Sequence, residues 1–174
     1  MLKKILHYFV AKMERKYGYD AGYLHEIIDS SPGLAREFSH LPKLSQYRRK
    51  APVRLHALAG LAAAKTEDCG PCLQLGIDMS REAGVDVETL KRVVRQPEQL
   101  SGDDKLVFDY ATAVATNAPE ADELRRRVES QYGRDVLIEL AMAIAATRVY
   151  PALKRGMGHA KSCQIMQFDF KKAS

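Results

Sequence analysis

Two cysteines separated by two residues, Cys69 and Cys72, have the spacing in this sequence that most clearly indicates chemistry. With Gly70 and Pro71 between them they form a C-x-x-C motif, which is typical of dithiol oxidoreductases. At the start of a helix the two thiols can meet across one turn, and the partial positive charge of the helix N-terminus stabilises a thiolate. The thiolate attacks the substrate, and the second thiol resolves the oxidised intermediate into a disulfide. The motif therefore predicts a redox-active pair.

Polar residues near the motif are candidates for moving protons during such a reaction. Glu67 and Asp68 precede the pair, and an acid at such a position acts either as a general base or, more commonly, as a helix cap. Gln74 can bind a substrate or face solvent. His56, on the preceding helix, is expected to be a histidine whose ring nitrogens have hydrogen-bond partners or lie at the surface. From this set we predict Glu67 as the catalytic residue beside the two cysteines.

Metal binding is a second interpretation of the cysteines. His159 and Cys163 have the spacing H-x-x-x-C, so Cys69, Cys72, His159 and Cys163 would together supply four zinc ligands. The two halves of this set lie far apart along the chain, and the Gly-Pro pair between the first two cysteines favours redox chemistry. We therefore predict a site without metal or cofactor.

Helical periodicity places the motif between two helices. Residues 52–65 are rich in alanine, the best helix former, and 73–83 form a second helix that ends at Gly84. Pro71 suits the first turn of that second helix, where its missing N–H is harmless. In thioredoxin the motif follows a strand, so the preceding helix argues against a thioredoxin fold.

The rest of the chain is also predicted to be helical. Residues 135–150 are strongly apolar and are predicted to be a central helix, with Pro151 interrupting the segment after it. No strand series or flexible linker is evident. The sequence predicts one all-α domain, in which residues 1–50 form an added N-terminal helical layer on a core of residues 51–160.

Composition and charge limit the classes of function. The chain has 174 residues, of which 46% are hydrophobic and 28% charged, which is typical of a soluble globular protein. No uninterrupted apolar stretch approaches the ~20 residues that span a bilayer, and residues 1–10 lack the features of a signal peptide, so we expect a cytoplasmic protein.

The net charge of +5 arises within residues 1–50, where ten Lys and Arg face five Asp and Glu. A small excess of basic residues spread over fifty positions more often belongs to a solvent-exposed surface than to a nucleic-acid site. We therefore expect no nucleic-acid binding. The basic amphipathic first helix is expected to pack on the protein's own core or on a sister subunit rather than on a membrane.

Three segments around the motif, 54–59 (RLHALA), 67–72 (EDCGPC) and 81–85 (REAGV), form a wider pattern. This pattern resembles the core of the AhpD-like family, the alkylhydroperoxidase and carboxymuconolactone decarboxylase superfamily. The resemblance covers residues 52–95 and, more loosely, the helices through about 160. It implies an all-helical homo-oligomer that acts on a hydroperoxide or a disulfide with electrons from an unidentified reducing partner.

The resemblance also implies roles for the two cysteines. Cys72 would be the peroxide-attacking thiolate and Cys69 the resolving thiol. Redox members of the family add a Glu twelve residues before the first cysteine and a His four residues after the second. Here those positions are Ala57 and Gly76, and neither can move a proton. An oligomeric binding protein that keeps an inactive dithiol is therefore a further alternative.

Overall fold

A computed structural model describes residues 2–159 and 168–170, and within this part of the chain the structure is helical without strands. The helices are α1 Leu2–Tyr17, α2 Gly22–Ser30, α3 Pro32–Phe38, α4 Leu41–Ser45, α5 Val53–Thr66, α6 Gly70–Glu82, α7 Val87–Arg95, α8 Gly102–Thr116 and α9 Ala121–Gly156. A 3₁₀ turn, Pro97–Gln99, joins α7 to α8. The predicted all-α fold class is confirmed.

Helix α5 lies at the centre of the core. Helices α6, α7, α8 and α9 all pack against it, and α8 also packs against α9. Its buried residues are Leu55, Leu58, Ala59, Leu61, Ala62, Ala63 and Ala64. Because most of these side chains are small, the neighbouring helices approach the α5 backbone closely. The alanine-rich helix that precedes the motif is therefore the element against which the motif helix α6 is positioned.

Helix α9 is divided by Gly133. This glycine has a φ of 84°, in the left-handed region that glycine adopts without steric cost. The chain is therefore helical on either side of this glycine. The prediction that Pro151 interrupts the second half is wrong, because the helix continues to Gly156. Proline removes one backbone hydrogen bond, and burial of the Pro151 ring offsets that loss.

The second half of α9 packs against α5 on one face only. Ile138, Met142 and Val149 remain exposed on the other face, so α5 rather than residues 135–150 occupies the centre of the core. By length and composition alone, α9 is the one helix in the described ranges that could cross a membrane. Its buried face belongs to the protein core, and core helices of soluble proteins share these properties.

Helices α1 to α3 form a layer with its own hydrophobic cluster, whereas α4 packs against α9. The buried members of this cluster are Tyr19, Ala21, Tyr23, Ile27, Ile28 and Ala35. Leu75 of α6 and Leu153 of α9 pack against the cluster, together with Met157. The main core cluster consists of buried residues between 51 and 144. The N-terminal layer therefore contacts the core at the motif helix and at the C-terminal end of α9.

Glu139 of α9 holds the segment that leads from α4 into α5. The residue is 6% exposed, and its carboxylate accepts hydrogen bonds from the backbone N–H groups of Arg49 (2.9 Å), Lys50 (3.0 Å) and Ala51 (2.8 Å). Burial alone would raise the pKa of Glu139, but these hydrogen bonds outweigh burial and hold the pKa below its usual 4.5. Glu139 is therefore a fixed carboxylate that anchors the entry to the central helix.

Two histidines join α1 to α2. His7 Nδ1 lies 2.6 Å from His25 Nδ1, so one nitrogen carries the shared hydrogen and the other accepts it. At the outer ends of this pair, His7 Nε2 contacts Asp29 at 3.0 Å and His25 Nε2 contacts Glu14 at 3.1 Å. Glu14 also accepts a hydrogen bond from the backbone N–H of Ala21 at 3.0 Å. This chain of contacts fixes the segment between α1 and α2.

Candidate functional site

Cys69 and Cys72 are joined by a disulfide at the N-terminus of α6. Cys69 is the N-cap residue, Cys72 lies in the first turn, and their Cα atoms are 5.3 Å apart. Pro71 occupies the predicted place in the first turn. The pair therefore lies where the N-terminal charge of a helix favours a thiolate in the reduced state.

Cys72 contacts a tyrosine from the N-terminal layer. The hydroxyl of Tyr19 lies 3.9 Å from the Sγ of Cys72, and Tyr19 is 6% exposed. Lys154 of α9 is 7% exposed and donates a hydrogen bond to the Tyr19 hydroxyl at 3.5 Å. Its ammonium group also lies 5.0 Å from the ring centroid of Tyr19 and 5.4 Å from that of Tyr23. We refer to Tyr19, Tyr23 and Lys154 as the tyrosine–lysine cluster.

Sequence reasoning missed this cluster. Tyr19 is 53 residues from Cys72 and 135 residues from Lys154 along the chain. No motif connects the three residues, because tertiary packing alone brings them together. The one signal available was a group of tyrosines near the first helix, and that group carries no information about its partners.

Cys72 also lines a cavity of about 340 Å³ between α4, α5, α6 and α9. This volume lies within the range of small-molecule sites, roughly 300–1,000 Å³. Much of the lining is apolar and includes Leu61 and Met79, whereas His56 and Thr147 add polar atoms. A small organic molecule in this cavity would lie next to the thiol of Cys72.

Ala57 and Gly76, where the resemblance implies relay groups, both line this cavity. A Cβ atom at Gly76 would lie 3.0 Å from Cδ2 of Leu61, which is tighter than ordinary contact. Leu61 would therefore have to move before any side chain could replace this glycine. Both positions line the cavity that Cys72 lines, and neither supplies a proton-transferring group.

His56 lies in the wall of the cavity with one unsatisfied ring nitrogen. The ring makes a hydrogen bond to the backbone of Tyr47, while the buried Nε2 has no hydrogen-bond partner among the described residues. Burial, assisted by the charge of Arg48, lowers the pKa of His56, so its ring is neutral at pH 7. The expectation of a satisfied or surface histidine is wrong for Nε2. This nitrogen is therefore an unsatisfied buried polar atom in a residue that lines the cavity.

Glu67, the predicted catalytic acid, is held by two arginines. Its Oε1 accepts a hydrogen bond from Nε of Arg148 at 2.7 Å, and its Oε2 accepts one from Arg155. Burial raises the pKa of Glu67, but the hydrogen bonds and charges of the two arginines outweigh burial and hold it below its usual value. A carboxylate stabilised in this way is a weak proton acceptor and a strong anchor between the α5–α6 turn and α9. A catalytic role for Glu67 stays a prediction.

Gln74 and His159, two further candidates from the sequence, have partners within the protein. The amide of Gln74 exchanges two hydrogen bonds with the backbone of Asp169, at 2.8 and 2.9 Å. His159 Nε2 lies 2.6 Å from Oε2 of Glu26. Cys163, the fourth residue of the zinc hypothesis, lies outside the described residues. Within 2–159 and 168–170, no group of three or more His, Cys, Asp or Glu residues is placed to hold a metal ion.

Comparison with protein-family models, curated proteins and solved structures finds no match for this chain. The likeness to the AhpD-like family therefore depends on the sequence segments around the motif. The function of the site has to be inferred from its own geometry.

Proposed function

We propose that this protein is an AhpD-like, thiol-dependent peroxidase whose Cys69–Cys72 dithiol reduces hydroperoxides. The observation that carries this proposal is a disulfide at the N-terminus of α6 whose member Cys72 lines a cavity. A disulfide formed within one helical turn can open to a dithiol and close again with little movement of the helix. The cavity gives a small substrate access to Cys72, which supports this cysteine as the attacking thiolate.

The proposed reaction has two thiol steps and a reductive step. The thiolate of Cys72 attacks the terminal peroxide oxygen, the O–O bond breaks, and the products are a sulfenic acid on Cys72 and an alcohol after uptake of one proton. The thiol of Cys69 then attacks the sulfenic sulfur, which forms the disulfide and releases water. A dithiol donor returns two electrons and two protons by thiol–disulfide exchange.

We further propose that the protein acts as a homo-oligomer in the cytoplasm. Ala59 and Ala62 are buried within the subunit, so these alanines are not available to a second subunit. The exposed apolar face of α9, which contains Ile138, Met142 and Val149, is the surface we assign to the subunit contact.

A binding protein with an inactive dithiol is the second candidate function. It is favoured by Ala57 and Gly76, which leave the two relay positions without a proton-transferring group while the cavity remains. This candidate predicts that a small molecule occupies the cavity without turnover at Cys72.

Cysteine variants assayed with cumene hydroperoxide separate these candidates. Cys72→Ser should abolish the reaction, whereas Cys69→Ser should consume one equivalent of hydroperoxide and then stop at the sulfenic acid. Single-turnover consumption that survives in Cys72→Ser and is lost in Cys69→Ser would reverse the two roles. A wild-type protein that reacts no faster than free cysteine would exclude the peroxidase and favour the binding protein.

A further inference from the structure

The tyrosine–lysine cluster places a lysine and two phenols in the protein interior beside Cys72. Tyr19 comes from the segment between α1 and α2, Tyr23 from α2 and Lys154 from α9, and all three are buried. Lysine is rarely buried so deeply without polar partners, because removing its charge from water is costly. Its contacts with the two phenols indicate a specific role in this interior.

The hydrogen bonds of the cluster point toward the sulfur. An ammonium group can only donate, so Lys154 donates to the Tyr19 oxygen at 3.5 Å. A phenol oxygen has two lone pairs and one hydrogen. A thiolate can only accept, so once Cys72 is deprotonated the Tyr19 hydroxyl is the donor to its Sγ, 3.9 Å away.

The protonation state of Tyr19 suits this direction. Burial is the largest influence on this residue and raises the pKa of its phenol above the usual 10.0. The hydroxyl therefore keeps its hydrogen throughout the neutral range and remains a donor.

We propose that Tyr19 and Lys154 stabilise the thiolate of Cys72, Tyr19 by donating a hydrogen bond to Sγ and Lys154 by its positive charge behind Tyr19. When Sγ loses its proton to water, the thiolate becomes a stronger acceptor for the Tyr19 hydroxyl. Its attraction to the ammonium group is stronger in the protein interior than it would be in water. Tyr19 touches the reacting sulfur and is a catalytic residue, whereas Lys154 acts through Tyr19 and is a positioning residue. This inference rests on the proposed function, because it concerns the same thiol.

Three other basic residues of α5 and α9, within the part of the chain that the structure describes, do not supply this charge. His56, from α5, is neutral at pH 7. Arg148 and Arg155, on the same helix as Lys154, are paired with the carboxylate of Glu67. The tyrosine–lysine cluster contacts Cys72 directly and is therefore expected to affect its acidity, together with the N-terminus of α6.

The acidity of Cys72 can be measured without any peroxide. The reduced protein is treated with iodoacetamide between about pH 5 and pH 10, and mass spectrometry follows alkylation of the peptide that contains Cys72. The midpoint in the wild type should lie below the ordinary cysteine value of about 8.5. Tyr19→Phe and Lys154→Met should each raise the midpoint by about one pH unit, which is about tenfold less thiolate at pH 7.

Lys65→Met is the matched control. Lys65 is half-buried and, like Lys154, lies against an aromatic ring, with its ammonium group 5.9 Å from the centroid of Phe108. It donates to the carbonyl of Val94 at 2.9 Å. It has no contact with Tyr19, so its loss should leave the midpoint of Cys72 unchanged. A shift as large as that of Lys154→Met would overturn the proposal, because any lost lysine would then have the same effect.

The remaining outcomes are equally distinct. An unchanged midpoint in folded Tyr19→Phe and Lys154→Met, with folding verified by circular dichroism, would overturn the proposal. If Lys154→Met does not fold, Tyr19→Phe decides alone, because this variant removes a single oxygen. A low, cluster-dependent midpoint in a protein without peroxidase activity would keep this inference and reject the proposed function. Peroxidase activity with an alkylation midpoint that is independent of the cluster would support the proposed function and overturn this inference.

Discussion

The hydroxyl of Tyr19 lies 3.9 Å from the Sγ of Cys72, although 53 residues separate the two along the chain. This contact makes the N-terminal layer a part of the candidate site. The segment that carries Tyr19 is held in turn by Glu14, which bonds the backbone N–H of Ala21 and the ring of His25. The N-terminal layer therefore contributes to the surroundings of the thiol as well as packing on the core.

Replacing Glu139 with glutamine should destabilise the protein. Glu139→Gln keeps the size of the side chain but removes the negative charge of the carboxylate. That carboxylate accepts hydrogen bonds from the backbone N–H groups of Arg49, Lys50 and Ala51. Hydrogen bonds to charged groups are worth about 1.5–3 kcal/mol each, so we expect a loss of about 2–3 kcal/mol in the free energy of unfolding at pH 7. Urea denaturation of the two proteins measures this difference.

The pH dependence of that difference follows from the lowered pKa of Glu139. In the unfolded chain the carboxyl titrates near its ordinary 4.5, and in the folded protein below that value. The stabilising contribution is therefore complete above pH 4.5 and is lost as the pH falls through the folded pKa. The stability gap between wild type and Glu139→Gln should narrow below pH 4.5, and a gap that widens there would contradict this account.

His56 should also make the stability of the protein depend on pH. Its folded pKa is lowered, so the unfolded chain takes up a proton first as the pH falls below the ordinary 6.5. The wild type should therefore lose stability below pH 6.5 relative to His56→Gln. His40→Gln, at an exposed histidine, is the control and should follow the wild type. Thermal unfolding between about pH 5 and pH 7.5 makes this comparison.

Local features of the helices were predictable from the sequence, whereas the tertiary contacts of the site were not. Pro71 and the cap residue Asp86, which accepts a hydrogen bond from the N–H of Thr89 at 2.8 Å, act within one helical turn. Such short-range chemistry is visible in sequence. The contact of Tyr19 with Cys72 and the unbroken helix at Pro151 depend on packing between distant segments, which outweighs local propensity.

The exposed face of α9 should mediate self-association. Met142→Asp places a charge among Ile138, Ala145 and Val149, all exposed on the same side of the helix. If a second subunit covers this face, the charge should dissociate the oligomer, since an unpaired charge in an apolar contact is costly. Light scattering at micromolar concentration should then report a smaller species. Leu34→Asp, at an exposed apolar residue of α3, is the control, and a monomeric wild type would refute the oligomer.

Glu67→Gln distinguishes an anchoring carboxylate from a catalytic one. The substitution leaves an amide that binds Arg148 and Arg155 without neutralising them, so the turn between α5 and α6 should be less firmly held. If Glu67 is an anchor, the substitution should lower the unfolding temperature. It should change the rate of hydroperoxide reduction at saturating substrate by less than about tenfold. General acid–base groups typically contribute about 10²–10⁴-fold to a rate. A loss of that size in a fully folded Glu67→Gln protein, with the midpoint of Cys72 alkylation unchanged, would establish Glu67 as the proton acceptor instead.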